Sequence, residues 1–330
     1  MRTFRFWSIY YLSWQKLLHE VFNWICFILT LFFVSSQIPN GYYSSADGLT
    51  GMDLKTALNT IIKNHIEFPY TSNSTDVWDI LKETDKDPNN PNNVILLYSG
   101  WSKNGDQEFN GGSGWNREHV WPKSRGDFGD AEGPGTDVHA LRPCDISVNA
   151  SRSNRWFAEC DIQHIDGDGP TGCYISDTEW VWKPNDNVKG DVARMIFYMA
   201  TRYEGQNSEP DLELIDYLPA NNNTSAPIHA KLSDLLLWNE EDPVDDWERQ
   251  RNNIIYYDFQ NNRNPFIDHP EFAQEIWGNL AGNTAHSTTP KTLIKVMDFL
   301  GKEVDSKTNK LLIYLYSDGS VEKKFESSNK

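Results

Sequence analysis

The 330-residue sequence predicts an α+β fold, with a compact ββα unit set in a largely helical single domain and a short β tail at the C-terminus. Three observations lead there. Apolar residues recur at helical spacing in segments before and after the middle of the chain. Between them, two strand-like runs and a capped helix follow one another from Trp115 to Trp156. After a Gly/Thr/Pro-containing linker, "GNTAHSTTPKT", the texture changes to short apolar strands. A hydrophobic content of 38% and an aromatic content of 13% are enough for a packed core and exclude a disordered chain.

The elements can be justified in order. A basic start, "MRTFR", precedes the apolar run Val21 to Ser36. That run has the length of a signal-peptide core and falls short of the ~20 residues of a membrane span, so residues 1–40 are read as a secretory signal cut between residues 36 and 46. "GMDLKTALNTIIKNH" places Leu54, Leu58, Ile61 and Ile62 on one helical stripe, and "TDVWDILKETD" is a short helix opened by Thr75 or Asp76. "NVILLYSGW" reads as a strand. Later helices are expected at "GDVARMIFYMATRY", at "IHAKLSDLLLW", and at "PVDDWERQRNNIIYYDF" with Pro243 in the first turn. The tail, with an Asp318-Gly319 turn, supplies two or three strands and is too small for a core of its own. Beyond the signal, Cys144, Cys160 and Cys173 are an odd set, which for an exported chain predicts one disulfide, Cys160–Cys173 being nearest in sequence, and one free thiol.

Chemistry concentrates in "WNREHVWPKSRG" and "GTDVHALRPCDISVNASRSNRW". Glu118 and His119 are adjacent, and neighbours on a regular strand point to opposite faces, so joint action requires a strand end or bend, for which Pro122 gives a reason. A carboxylate is a ligand for hard cations, and a neutral imidazole accepts a proton from water near neutral pH. "DVHALRP" reads as a second strand ended by Pro143, and "DISVNASRSN" as a helix with Asp145 as its N-cap. There Asn149, Arg152 and Ser153 share a face, so the Asn149 amide oxygen can complete a cation site and Arg152 can meet a phosphate. An isolated Glu-His pair is more often plain surface; the second strand and the helix change that balance.

"REHVWP", "DVHALRP" and "VNASRSN", in that order, with "ARMIFYMATRY" and "WNEEDPVDDWERQRNNIIYYDFQNNRNPFI" after them, resemble the bacterial endonuclease I family of secreted, non-specific nucleases, which carry a ββα-metal (His-Me) finger. The likeness runs from about Leu49 to Trp277. It implies His119 as the general base and Glu118 and Asn149 as protein ligands of one divalent cation per active site, Mg²⁺ or else Ca²⁺ or Mn²⁺. It implies a monomer acting on DNA, with RNA as a second substrate, outside the cell or in the periplasm and without stable membrane association. It also implies an arginine beside the cleaved phosphate, for which Arg125 and Arg152 are the candidates, with Lys123, Arg117, Arg142 and Arg155 nearby. Asp137 and His139 match family positions and are read as structural. On this reading residues 45–285 are the catalytic domain and 286–330 a linker and β segment, a candidate sorting signal.

The formal net charge of −17 argues against a nucleic-acid partner, since phosphates attract Lys and Arg; a local groove of Arg117, Arg125, Arg142, Arg152 and Arg155 answers the objection. Two other readings compete. The Trp-rich, acidic composition also suits a secreted carbohydrate-binding or carbohydrate-cleaving protein, but no motif places a carboxylate pair. A catalytically dead ββα protein that only binds nucleic acid is opposed by the intact Glu118, His119 and Asn149. "IDGDGPTG" is a solvated turn rather than a Ca²⁺ loop, since the full EF-hand pattern is absent.

Overall fold

The computed structural model describes residues 38–280 and the strand segments 293–297, 310–316 and 321–326. Residues 1–37 of the expected signal, the linker and the Asp318-Gly319 turn lie outside the described residues. The architecture is α+β. Of the expected stripe, helix α1 (Gly51–Ile62) buries Leu54, Leu58 and Ile62 fully and Ile61 in part. Helix α2 (Val77–Thr84) is opened by Asp76, whose carboxylate accepts from the backbone N–H groups of Trp78 and Asp79. Asp79 returns a bond to the Asp76 backbone and closes a capping box. Strands β1 (Lys86–Asp87), β2 (Asn90–Ile95) and β3 (Ser102–Asn104) form an antiparallel meander.

At the centre lies helix α4 (Lys189–Arg202), buried along its whole length. Such a helix must satisfy its charges internally. Arg194 does so by donating to both carboxylate oxygens of Glu248, at 2.7 and 2.6 Å. Arg142 meets Asp85 and, at 3.3 Å, Asp191. Burial, with Glu248 nearby, raises the Asp191 carboxyl to about 7. Helices α5 (Leu232–Glu241), α7 (Pro265–Asp268) and α1 pack around α4, and α6 (Asp246–Ile254) brings Glu248 to it. Among the described residues no helix is long and apolar enough to cross a membrane.

Several boundaries differ from expectation for identifiable reasons. Ile228–Lys231 is a strand rather than the start of a helix, because it pairs in parallel with Glu213–Ile215, and the helix begins only at Leu232. Pro243 precedes α6 instead of sitting in its first turn; the cap is Asp245, which accepts from Glu248 N at 2.9 Å. In "DVHALRP" the strand covers only Leu141–Asp145, since Asp137–Ala140 turns on the Asp137 carboxylate and carbonyl. Pro143 lies inside this strand without cost because the sheet has two strands only, and its carbonyl accepts from Leu97 N at 2.8 Å. The tail forms a three-stranded antiparallel sheet of residues 293–297, 310–316 and 321–326.

The cysteine expectation is corrected: Cys144, Cys160 and Cys173 are all free thiols. Cys173 is buried and donates to the Tyr98 carbonyl at 3.3 Å, while Cys160 is partly exposed. Burial raises the Cys160 thiol to about 11 and the Cys173 thiol to about 12, so neither is a reactive thiolate. A chain starting at Ile38 should therefore titrate three thiols with Ellman's reagent in denaturant without reductant; a count of one would mean that a disulfide forms.

Candidate active site

Strand β4 (Trp115–His119) pairs antiparallel with β5 (Leu141–Asp145), Glu118 opposite Arg142 and His119 opposite Leu141. Helix α3 (Ile146–Arg152) follows at once, capped by Asp145, which accepts from Ser147 N and Val148 N. Trp115 anchors the unit, fully buried and edge-on to Trp78. The ββα unit carries an open cleft of about 460 Å³ lined by Glu118, His119, Asn149, Arg117, Lys123 and Arg152, among others. Glu118 and His119 both reach it because β4 ends at His119. The chain then turns through Trp121-Pro122, with Val120 N still bonded to Ala140 O at 3.0 Å.

His119 is held through Nε2, which lies 2.9 Å from the Gly135 carbonyl oxygen. A carbonyl can only accept, so Nε2 carries the proton and Nδ1 keeps its lone pair. No partner approaches Nδ1 among the described residues. Burial lowers the imidazole to about 3, Lys123 and Arg117 adding to the effect, so the ring is neutral throughout the physiological range. Tyr70 stacks against it, ring centroids 5.6 Å apart. Gly135 has no room for a side chain: a Cβ there would collide with the Gly129 carbonyl.

Glu118 is buried, and burial raises its carboxyl although Arg152 and Tyr98 oppose the shift. Oε1 accepts from the Tyr98 hydroxyl at 2.7 Å and lies 3.2 Å from Arg152 Nε. Oε2 makes no hydrogen bond among the described residues. Asn149 donates through Nδ2 to Asn116 Oδ1 at 2.8 Å, and its own Oδ1 likewise has no partner among them.

The arginines are distributed differently from the expected groove. Arg152 lines the cleft but is buried, and its guanidinium donates to the carbonyls of His119 (3.2 Å), Ser153 (3.1 Å) and Val120 (2.5 Å). Arg125 does not line the cleft; it donates to Asn154 O and stacks on the Trp156 ring at 3.2 Å, and burial lowers it to about 9. Arg142 is engaged by Asp85 and Asp191, and Arg155 by Asp177 and Ser176 O. The cations on the cleft besides Arg152 are Arg117, sandwiched between the Tyr70 and Trp78 rings, and Lys123, paired with Asp130.

Asp137 and His139 lie behind the cleft in a buried polar network. Asp137 accepts from Tyr198 and Tyr203 hydroxyls at 2.8 and 2.9 Å, and from Gln260 Nε2 and His139 N, both at 3.0 Å. Burial alone would raise its carboxyl, but His65, His139, Gln260 and Tyr198 outweigh it and hold it at about 2. His139 is brought down to about 4 by burial and bonds the Asn262 carbonyl at 3.1 Å. Tyr98, Asn116 and Gly135 were absent from the sequence reading. Only Asn116 had a local signal, standing two residues before Glu118 on the same face of one strand.

Comparison with known proteins agrees with this geometry. The family model described as Endonuclease I matches residues 50–271. Two proteins called extracellular ribonuclease, from Bacillus subtilis (strain 168) and Bacillus amyloliquefaciens, are each 54% identical over 238 residues, 72% of this chain and 78% of theirs. Endonuclease-1 of Buchnera aphidicola subsp. Baizongia pistaciae (strain Bp) is 27% identical over 133 residues, 40% of this chain and 46% of its own. With its ββα unit, its cleft and a match across most of its described length, the chain is a nuclease that belongs to the Endonuclease I family.

Proposed function

We propose that the protein is a secreted, metal-dependent endonuclease that hydrolyses phosphodiester bonds of RNA and DNA with little sequence specificity. The observation that carries this reading is the convergence in one cleft of a neutral imidazole with an unengaged Nδ1, a carboxylate oxygen and an amide oxygen. Glu118 Oε2 and Asn149 Oδ1 are hard donors without protein partners among the described residues, which fits one Mg²⁺, Ca²⁺ or Mn²⁺. Such a cation, when bound, supplies positive charge to the phosphate and to the leaving oxygen.

The chain's own residues do the rest. His119 can take a proton only at Nδ1, because Nε2 is committed to Gly135. It removes that proton from a water molecule in the cleft; the water oxygen attacks phosphorus and the bond to the 3′ oxygen breaks. Lys123 and Arg117 meet backbone phosphates, contacts that carry no base identity. Arg152 holds the strand end beneath His119 and Glu118, and Arg125, off the cleft, ties the Asn154 carbonyl to the Trp156 ring rather than touching substrate. Relatives named extracellular ribonuclease support RNA as a substrate and action outside the cell.

The test is incubation of the purified chain from Ile38 onward with plasmid DNA and with RNA. Both should be degraded, EDTA should stop the reaction, and excess Mg²⁺ should restore it. Undiminished cleavage in EDTA would defeat the reading. Glu118→Ala deletes the charged ligand, so the Mg²⁺ concentration for half-maximal rate should rise at least ~10-fold, the lower bound set by what even outer partners of a ligand contribute.

A further inference from the structure

An asparagine binds a cation only through its amide oxygen, and a rotation of the amide would offer a repelling NH₂ group instead. Asn149 stands on α3 facing the cleft, and its Nδ2 donates to Asn116 Oδ1 at 2.8 Å. Asn116 is on β4, two residues before Glu118, and also lines the cleft. We propose that Asn116 is a positioning residue for the cation site: its amide oxygen captures the NH₂ of Asn149 and so turns Asn149 Oδ1 toward the metal. The proposal rests on Asn149 being a ligand.

The bond joins the strand that carries Glu118 to the helix that carries Asn149, so it also sets the separation of the two donors. Glu118 is treated in the same way, since Tyr98 and Arg152 occupy Oε1 and leave Oε2. In both residues a neighbour engages one polar atom and leaves the other, the oxygen that would hold a cation, which is how outer partners orient ligands and tune affinity.

Isothermal calorimetry with Ca²⁺ alone, without nucleic acid, tests the idea on five chains: wild type, Asn116→Leu, Asn116→Asp, Asn149→Ala, and Asn116→Leu in the Asn149→Ala background. Asn116→Leu keeps the branching and the number of side-chain heavy atoms but lacks an acceptor, so affinity should fall about 10-fold or more. Asn116→Asp keeps the acceptor and should bind as tightly as wild type or better. Once Asn149 is Ala, the Leu change should have no further effect. Melting temperatures without metal separate these results from loss of fold. Wild-type affinity in Asn116→Leu overturns the proposal, as does an equal loss in both backgrounds, which would make Asn116 a ligand in its own right. If Asn149→Ala binds Ca²⁺ like wild type, the ligand reading itself is wrong and the inference falls with it.

Discussion

His119→Ala should lower the cleavage rate by about 10²- to 10⁴-fold, the range for loss of a positioned general base, while the fold and the cation affinity stay near wild type. The substitution removes the one unengaged ring nitrogen in the cleft and leaves Glu118 and Asn149 with their partners Tyr98, Arg152 and Asn116 in place. Its structural cost is one hydrogen bond to the Gly135 carbonyl, about 1 kcal/mol, together with the stacking of the ring on Tyr70. Single-turnover rates on a short oligonucleotide at saturating Mg²⁺ give the first number, and Ca²⁺ calorimetry the second. Near wild-type cleavage by this variant would remove His119 from the mechanism.

The second large effect is on stability. Asp137→Ala should cost about 3–5 kcal/mol, because it strips the acceptor from the Tyr198 and Tyr203 hydroxyls and from the Gln260 amide, all buried. For a domain of this size that is a drop in melting temperature of roughly 6–20 °C. The carboxyl sits at about 2 in the folded chain against about 3.9 in an unfolded one. A lowered folded value stabilises above the unfolded one and fades as pH falls through the folded one. The gap between wild type and variant should therefore be full at pH 6 and shrink between about pH 4 and pH 2. Urea titrations at those pH values measure it; a constant gap below 1 kcal/mol would show that the network does not depend on this charge.

How much of the site could be seen in advance depended on range. Glu118, His119 and Asn149 were visible because their placement follows from local geometry: a strand that ends, and a helix capped by Asp145. Arg152 was read toward a phosphate from its helix face, and Arg125 was a candidate through the resemblance; the surroundings of both are decided by packing that neither signal describes. For Arg125 that is an indole ring and the Asn154 carbonyl, and for Arg152 the carbonyls of His119 and Val120 at the strand end, the Ser153 carbonyl after the helix, and Glu118. Tyr98 and Gly135 lie 20 and 16 residues from the groups they hold, beyond the reach of any periodicity. Similarly, Ile228–Lys231 continues the apolar pattern of the helix after it, and only its partner Glu213–Ile215 makes it a strand. The disulfide expectation came from export and an odd count, with no geometry behind it, and the burial of Cys173 against Tyr98 removed it.

The acceptor that selects the tautomer of His119 is a main-chain carbonyl, and this has a consequence for heredity. No codon change at position 135 can delete a peptide oxygen, so the proton on Nε2 is protected from the commonest way in which a hydrogen-bond partner is lost. What mutation can do is displace the loop, and any residue larger than glycine at 135 would do so by colliding with Gly129. The tautomer of this imidazole is thus inherited through the path of the backbone, and drift should be tolerated around this loop wherever it leaves that path unchanged.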